Sequence, residues 1–521
     1  MKAKVFRLAL ALMITVASLA AAVLPAAVVS AATINVPGDY LTIAAAVAAA
    51  NPAGGDTIVV AAGTYNEHDI TIDRNLTIEG AGADVTIVDG QNLGRVFLVS
   101  GTPAPVVAMS GITVRNGYTD QGGGVFNDEQ CTLTMTDCTV SGNTADWGGG
   151  GISNYYESTL TMTNCTVSGN TAAGGSDGGG ILNASTSTLT MTDCTVSGNT
   201  AGWLGGGIFN YMWCTLTMTN CTVSGNTAGW AGGGIRNSSG CTLTMTDCTV
   251  SGNTAVWQGG GICNIEVSTL TMTDCTVSGN TASGWAGGGI LNYDECTLTM
   301  TGSTVSGNPA LDYGGGIFNN DMCTLTMTNC TVSGNTASSV DSVGGGIYNY
   351  YTSTLALTNC TVSGNSADYC GGIHNYNYNS PDQCTLTCTI VYGNDGRVSD
   401  DNVCGPHLAT ECIVDNPDPR LGPLQDNGGP TQTQALLPGS AAIDRCVNNC
   451  TVTTDQRGVP RPQGDHCDIG AYEAEPQPPP PVRPPTVPTL SLWGTAGLAV
   501  VLGALLAWTV KRRLHSGSSV R

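Results

Sequence analysis

Cys241-Thr242-Leu243-Thr244-Met245-Thr246-Asp247-Cys248-Thr249-Val250-Ser251-Gly252-Asn253 is the stretch whose reading decides the fold. From Thr242 to Thr246, apolar residues alternate with threonine at period two, the mark of a strand with one buried face. Cys248 and Val250 resume the alternation after a phase slip at Asp247, so the chain turns a corner there. The string recurs with little variation from Cys131 to Asn365. Between its copies runs a second one, two glycines, Ile or Val, any residue, then Asn. Its asparagines are Asn127, Asn154, Asn183, Asn210, Asn237, Asn264, Asn292, Asn319, Asn349 and Asn375, about 27 residues apart. A period of that size belongs to solenoids, propellers and arrays. The second string adds another short extended segment, Gly232 to Asn237, with Ile235 as its inward residue. Three short strands and their bends in each repeat make one coil of a parallel β-helix. A propeller blade needs about 40 residues and four strands, and neither a helical nor a six-residue period is present. The expected fold is all-β, a right-handed single-stranded parallel β-helix (solenoid).

Stacking explains the composition, because each residue meets its counterpart in the next coil about 4.8 Å away. Leu133, Leu160, Leu189, Leu216, Leu243 and Leu270 form one apolar ladder, beside Met135, Met162, Met191, Met218, Met245 and Met272. Asn143, Asn170, Asn199, Asn226, Asn253 and Asn280 fit an amide ladder at a bend, where Asn tolerates left-handed backbone. Cys138, Cys165, Cys194, Cys221, Cys248 and Cys275 form another inward ladder, resumed at Cys330 and Cys360 after Ser303. A buried thiol packs as a small hydrophobe, and disulfides between neighbouring coils are the alternative. Cys131, Cys214, Cys241, Cys296, Cys323 and Cys384 share a slot with Ser158, Ser187, Ser268 and Ser353, an interchange that asks for small size rather than pairing.

The ends read differently. Thr42 to Ala50 is expected to be a short capping helix with Thr42 as its N-cap, followed by Asp56-Thr57-Ile58-Val59-Val60-Ala61-Ala62-Gly63-Thr64-Tyr65. That passage resembles the N-terminal cap and first coil of pectin-lyase-like β-helix proteins, as does the coil Ser110 to Gly117. Towards the C-terminus come Asp426 to Thr433, Leu437 to Asp444, Asp455-Gln456-Arg457-Gly458-Val459-Pro460-Arg461-Pro462 and Cys467-Asp468-Ile469-Gly470-Ala471-Tyr472-Glu473. This series resembles the choice-of-anchor Q domain of bacterial surface proteins, a family defined by its place before an anchor and implying no chemistry. Cys446, Cys450 and Cys467 lie there outside the ladders, and a disulfide among them is expected.

Residues 1–32 read as a secretory signal, with Lys2, Lys4 and Arg7 before an apolar run and Ser30-Ala31-Ala32 at its end. After a proline-rich spacer, Leu490 to Val510 is 21 residues without a charge, followed by Lys511-Arg512-Arg513. That length suits a bilayer crossing, and the basic cluster places the tail in the cytoplasm. Val487 to Gly494 with this run resembles the bacterial IPTL-CTERM sorting signal, with Val487 at the name-giving Ile; the resemblance implies a sorting protease as a partner. The expected order is signal peptide (1–32), cap and first coils (33–126), regular coils (127–398), C-terminal region (399–475), linker (476–489), transmembrane or sorting helix (490–510) and basic tail (511–521). The protein is expected at the cell envelope, held by the C-terminal helix or released after sorting.

Chemistry is sparse. Residues 33–476 hold all 39 Asp and Glu residues against nine Arg and no Lys. Such a surface repels phosphate backbones, so no nucleic-acid partner is expected. Lyase-type elimination needs a basic side chain beside calcium-binding carboxylates. Among the strict coils only Arg236 is basic, and its slot holds Phe209, Cys263 and Leu291 elsewhere, so an exposed substitution is expected. His68, His374, His407 and His466 show no metal spacing. The Asp and Asn residues before each ladder cysteine, such as Asp137, Asn164 and Asp247, read as a solvated turn. No catalytic residue, metal site or cofactor is expected.

The one feature resembling a binding surface is aromatic. Trp147, Trp203, Trp230, Trp257 and Trp285 precede the glycine run, with Tyr369 assigned to the same place. Exposed rings suit sugar faces; the alternative is a self-packing ladder over the glycine turn. The repeat also resembles, more weakly, that of polymorphic outer-membrane proteins. The expectation is a non-catalytic, adhesin-like surface rod whose partners are an extracellular polysaccharide or a host or neighbouring cell surface. A carbohydrate-active enzyme and a carbohydrate-binding protein using the Trp row are the alternatives.

Overall fold

The computed structural model describes residues 31–376, 383–399, 402–475 and 492–515. The expected signal peptide, apart from Ala31 and Ala32, and the whole of the 476–489 linker lie outside them, as do residues 490–491 and 516–521. The chain divides into two compact units, Met1–Glu475 and Pro476–Arg521.

The first unit is a parallel β-solenoid with four sheets of 15, 14, 11 and 13 strands. Taken in the order the chain meets them in one coil, the first sheet carries Thr242–Thr246, the second Thr249–Ser251, the third Thr254–Ala255 and the fourth Ile262–Ile265. A coil thus has four strands where three were expected. The extra one is two residues long in most coils, too short for alternation to show in a sequence. Pairing is in register residue for residue, Leu243 on Leu216 and Met245 on Met218, so the inward ladders stack like on like. About fourteen coils at ~4.8 Å each give a solenoid of about 65 Å.

The corners explain the punctuation. At the first, Asp247 is left-handed with φ 53°, a conformation that Asp and Asn tolerate better than most residues. At the second, Gly252 takes the left-handed conformation with φ 62°. Asn253, expected to do so, instead turns its amide inwards. Its Nδ2 donates to Asn280 Oδ1 at 2.9 Å and to Val223 O at 2.9 Å. This ladder runs from Asn143 to Asn402 and closes on Asp415 Oδ1 at 2.7 Å. A second buried ladder runs through the marker asparagines, as where Asn210 Nδ2 donates to Asn237 Oδ1 at 2.8 Å.

Sixteen cysteines are free, all buried except the half-buried Cys412. Burial lifts the thiols of Cys131 and Cys263 to about 11, which keeps them protonated and unreactive. At the N-terminal end, α1 (Ile43–Ala49) is capped by the Thr42 hydroxyl. The Glu67 carboxylate also accepts the free N–H groups of Ile43 and Ala44, at 2.8 Å each.

Coils continue past residue 398, through Val403–Cys404, Leu408–Thr410 and Ile413–Val414. The chain then reverses along the outside of the second sheet. Leu421–Gln425 pairs antiparallel with Thr433–Leu436. Thr304 donates to Gln432 O at 2.7 Å, and Thr331 to Gln456 Oε1 at 2.6 Å. Ala471 N donates to Thr361 Oγ1 at 3.1 Å. Cys450 is bonded to Cys467, while Cys446 is bonded to Cys388 in the solenoid; Cys370 and Cys404 form a third disulfide. The expected trio is therefore split, because Cys446 faces the last coils.

The second unit is described as α2 (Leu492–His515). Among the described residues no helix is long and apolar enough to cross a membrane, so the expected crossing at 490–510 is not supported.

Candidate functional site, a cleft on the fourth sheet

In the fourth sheet, Ile235 and Asn237 point into the solenoid and Arg236 and Ser238 point out, as period two requires. The outward row reads Phe126, Ser153, Leu182, Phe209, Arg236, Cys263, Leu291, Phe318, Tyr348 and His374 along the stack. Two lips enclose it. One carries the Trp residues. The other is a turn in which two consecutive residues are left-handed, among them Met212 and Trp213 at φ 61° each and Glu266 and Val267 at φ 60° and 59°. Non-glycine pairs, and a β-branched residue above all, are uncommon there. The pair recurs at this turn from Glu129 and Gln130 to Tyr351 and Thr352, so the repeat itself builds the lip.

Between the lips lies a cleft of about 380 Å³ lined by Trp147, Tyr155, Asp177, Leu204, Phe209, Tyr211, Arg236, Ser238 and Glu266 among others. Arg236 is only 8% exposed, which corrects the expected exposed substitution. Its guanidinium lies over the Phe209 ring at 5.9 Å, its Nη1 meets Cys263 Sγ at 3.8 Å, and its Nη2 lies 3.8 Å from Glu266 Oε1. Gly232 makes room for it: at φ 69°, a Cβ there would stand 2.8 Å from Arg236 Cβ. Arg236 Nε and the Ser238 hydroxyl are buried without a hydrogen-bond partner. Asn320 Oδ1 and His374 Nδ1 share that condition further along the same face. Native interiors rarely leave such atoms unpaired.

Asp177 stands at the Trp lip, its Oδ1 accepting from Leu204 N at 3.1 Å. Burial pushes its carboxyl up to about 6, against that hydrogen bond and Arg236, which pull it down. At the far end of the face, burial pulls the His374 imidazole down to about 4.

The Trp row does not act as one surface. Trp147 is 73% exposed and lines the cleft, and Trp203 is 51% exposed. Trp230 and Trp257 stack on each other at 5.3 Å and 17°, so each hides one face. Trp285 turns edge-on to Phe318 at 5.4 Å and joins an apolar cluster. Tyr369 bridges to Val343 in the row of Leu204 and Ala231, one position inward of the expected place. Sequence reading also missed Asp177, Tyr155, Tyr211, Ser238, Glu266 and the exposed Trp213. Their signal was irregularity. Asp177 is the one carboxylate in a row that also holds Gly148, Leu204, Ala231, Gln258, Ala286, Tyr313, Val343 and Tyr369, and a site is built from residues that break the scaffold's pattern.

A second, larger hollow of about 640 Å³ lies between Ser363, Tyr392, Arg420 and Gln434. None of its lining side chains is a buried polar group lacking a partner, and Ser363 already donates to Gln434. Among the described residues, Cys388, Glu411 and Cys446 are the one trio close enough to hold a metal ion, and two of them are joined as a disulfide.

Solved structures similar to this chain include a pectate lyase, at 12% identity and a TM-score of 0.36, covering 86% of this chain and 97% of the other. A mannuronan C-5 epimerase A-module from Azotobacter vinelandii matches at 14% identity and 0.37, covering 72% and 95%. A pectin methylesterase from Aspergillus niger matches at 13% and 0.28, covering 63% and 91%. No curated protein matches the chain. The family model for the right-handed β-helix region matches residues 63–255 and 214–394, more than half of the chain. With its stacked parallel coils, the chain belongs to the right-handed β-helix family.

Proposed function

We propose that this chain is an exported, adhesin-like β-helix rod that binds a polysaccharide along its fourth sheet without cleaving it. One observation carries the reading: a cleft flanked by the exposed Trp147 and by Tyr155 and Tyr211 has buried polar atoms without partners on its floor. Aromatic walls with a few convergent polar groups are what a sugar chain needs. Attachment to the envelope through the C-terminal segment, with sorting there, belongs to the same proposal and rests on residues 487–513.

The absence of turnover rests on spacing. Asp177 and Glu266 belong to coils three apart, about 14 Å along the axis at ~4.8 Å per coil. Paired carboxylates that hydrolyse glycosides stand about 5–9.5 Å apart. The nearby base, Arg236, is tied to Glu266.

The test incubates the purified full chain with a panel of polysaccharides and measures both retention and products. Binding is expected, weakened about tenfold in Trp147→Ala, with no unsaturated or reducing ends released. Release of products would establish the alternative, a carbohydrate-active enzyme.

A further inference from the structure

We infer that the cleft selects an uncharged polysaccharide, with Arg236 Nε and the Ser238 hydroxyl each engaging a sugar hydroxyl; the inference rests on the proposed polysaccharide binding. The two residues are i and i+2 on one strand, Ile235–Ser238, so they face the cleft together. Ser238 is 1% exposed and Arg236 8%. These are built positions rather than solvated surface groups. Within the protein both atoms lack a partner, a costly condition that a bound hydroxyl would relieve.

The rest of the guanidinium shows why the ligand is uncharged. A sugar carboxylate is gripped by two parallel N–H groups of an arginine. Here Nη2 faces the Glu266 carboxylate and Nη1 faces Cys263 Sγ, at 3.8 Å each, so the fork end of the guanidinium already points at protein groups, while Nε is its buried N–H without a partner. One cation also shares the cleft with two carboxylates, Asp177 and Glu266, on a body with 39 acidic residues and nine arginines. A polyanion entering this field would be repelled. A neutral ring needs only stacking against Trp147 and Tyr211 and two hydrogen bonds. Sites that hydrogen-bond a substrate hydroxyl discriminate strongly for it, because without it their own groups stay unpaired.

The experiment is affinity electrophoresis of the full chain in gels holding neutral polysaccharides (xylan, galactomannan) or anionic ones (polygalacturonate, alginate), at low and high salt. Ser238→Ala is the informative variant. It removes a hydroxyl that the fold leaves unpaired, so its thermal midpoint should equal or exceed that of the parent. Arg236→Lys keeps the charge and removes Nε–H. Retardation by a neutral gel, unchanged by salt, falling five- to tenfold in Ser238→Ala and at least tenfold in Arg236→Lys, is expected. Retardation by anionic gels alone, weakened by salt, would overturn the inference and leave polysaccharide binding standing. Equal retardation of parent and both variants by a neutral gel would overturn the assignment of the two donors. No retardation in any gel would overturn the binding reading itself.

Discussion

Single residues in this solenoid carry consequences through stacking. Asn226 shows the scale. Its Oδ1 accepts from the backbone and side chain of Asn199 at 2.9 Å each, and its Nδ2 donates to Val196 O at 3.0 Å and to Asn253 Oδ1 at 2.9 Å. Asn226→Ala would leave the Asn199 backbone N–H and one N–H of its side-chain amide buried and unpaired, the amide keeping Val167 O, at about 1–3 kcal/mol each. A loss of about 3 kcal/mol or more in denaturant unfolding, centred on the neighbouring coils, is the expected result. Asp177 adds a pH dependence. Its folded carboxyl sits at about 6, above the roughly 3.9 of an unfolded chain. Between those values the folded state holds a proton that the unfolded state has lost, so this group's contribution to stability falls as pH rises from about 4 to 6. Asp177→Asn keeps an acceptor for Leu204 N and removes the titration. Its thermal midpoint should therefore gain on the parent as pH rises through that window, and equal midpoints at all pH values would refute the assignment.

At the scale of elements, the reversed C-terminal segment acts as a clasp on the second sheet. Thr304, Thr331 and Thr361 are at most 2% exposed under it, whereas the matching Thr249 in an uncovered coil is half-buried. The Asp455 to Arg461 motif is spent on this clasp. Gln456 bonds to Thr304 and Thr331, Arg457 pairs with Asp455 at 2.7 Å and covers Tyr472 at 3.5 Å, and Arg461 pairs with Glu473 at 2.8 Å, both side chains fully buried. Removing one partner of a buried pair costs about 3–5 kcal/mol. Arg461→Met should release the clasp: limited proteolysis between 415 and 475 speeds up while the solenoid's β signal in circular dichroism stays. These contacts were illegible in the sequence, since Gln456 and Thr304 are 152 residues apart and share no period. The third-sheet strands escaped notice for the opposite reason, being too short to display one. The inward Leu, Met and Cys ladders were plain because every coil repeats them.

For the whole molecule, that repetition made the fold readable and the site obscure. Arg236, Asp177 and Glu266 are departures from the consensus, and a reading that averages over copies treats departures as noise. Only the stack brings residues from coils 27 or more positions apart into one cleft. The same stacking accounts for cysteines in number without a disulfide framework. A thiol reagent should find Cys412 at most in the native chain and 16 thiols after unfolding without reductant; a count near zero in the unfolded chain would mean that the ladders are oxidised. The most direct test of polysaccharide binding on the fourth sheet is hydrogen–deuterium exchange with and without a saturating polysaccharide. Added protection should be confined to the cleft strands and lips at 146–157, 176–186, 203–213 and 235–240 and to the turn at 265–267. Protection confined to the second sheet or to 415–475, or none at any ligand concentration, would contradict it.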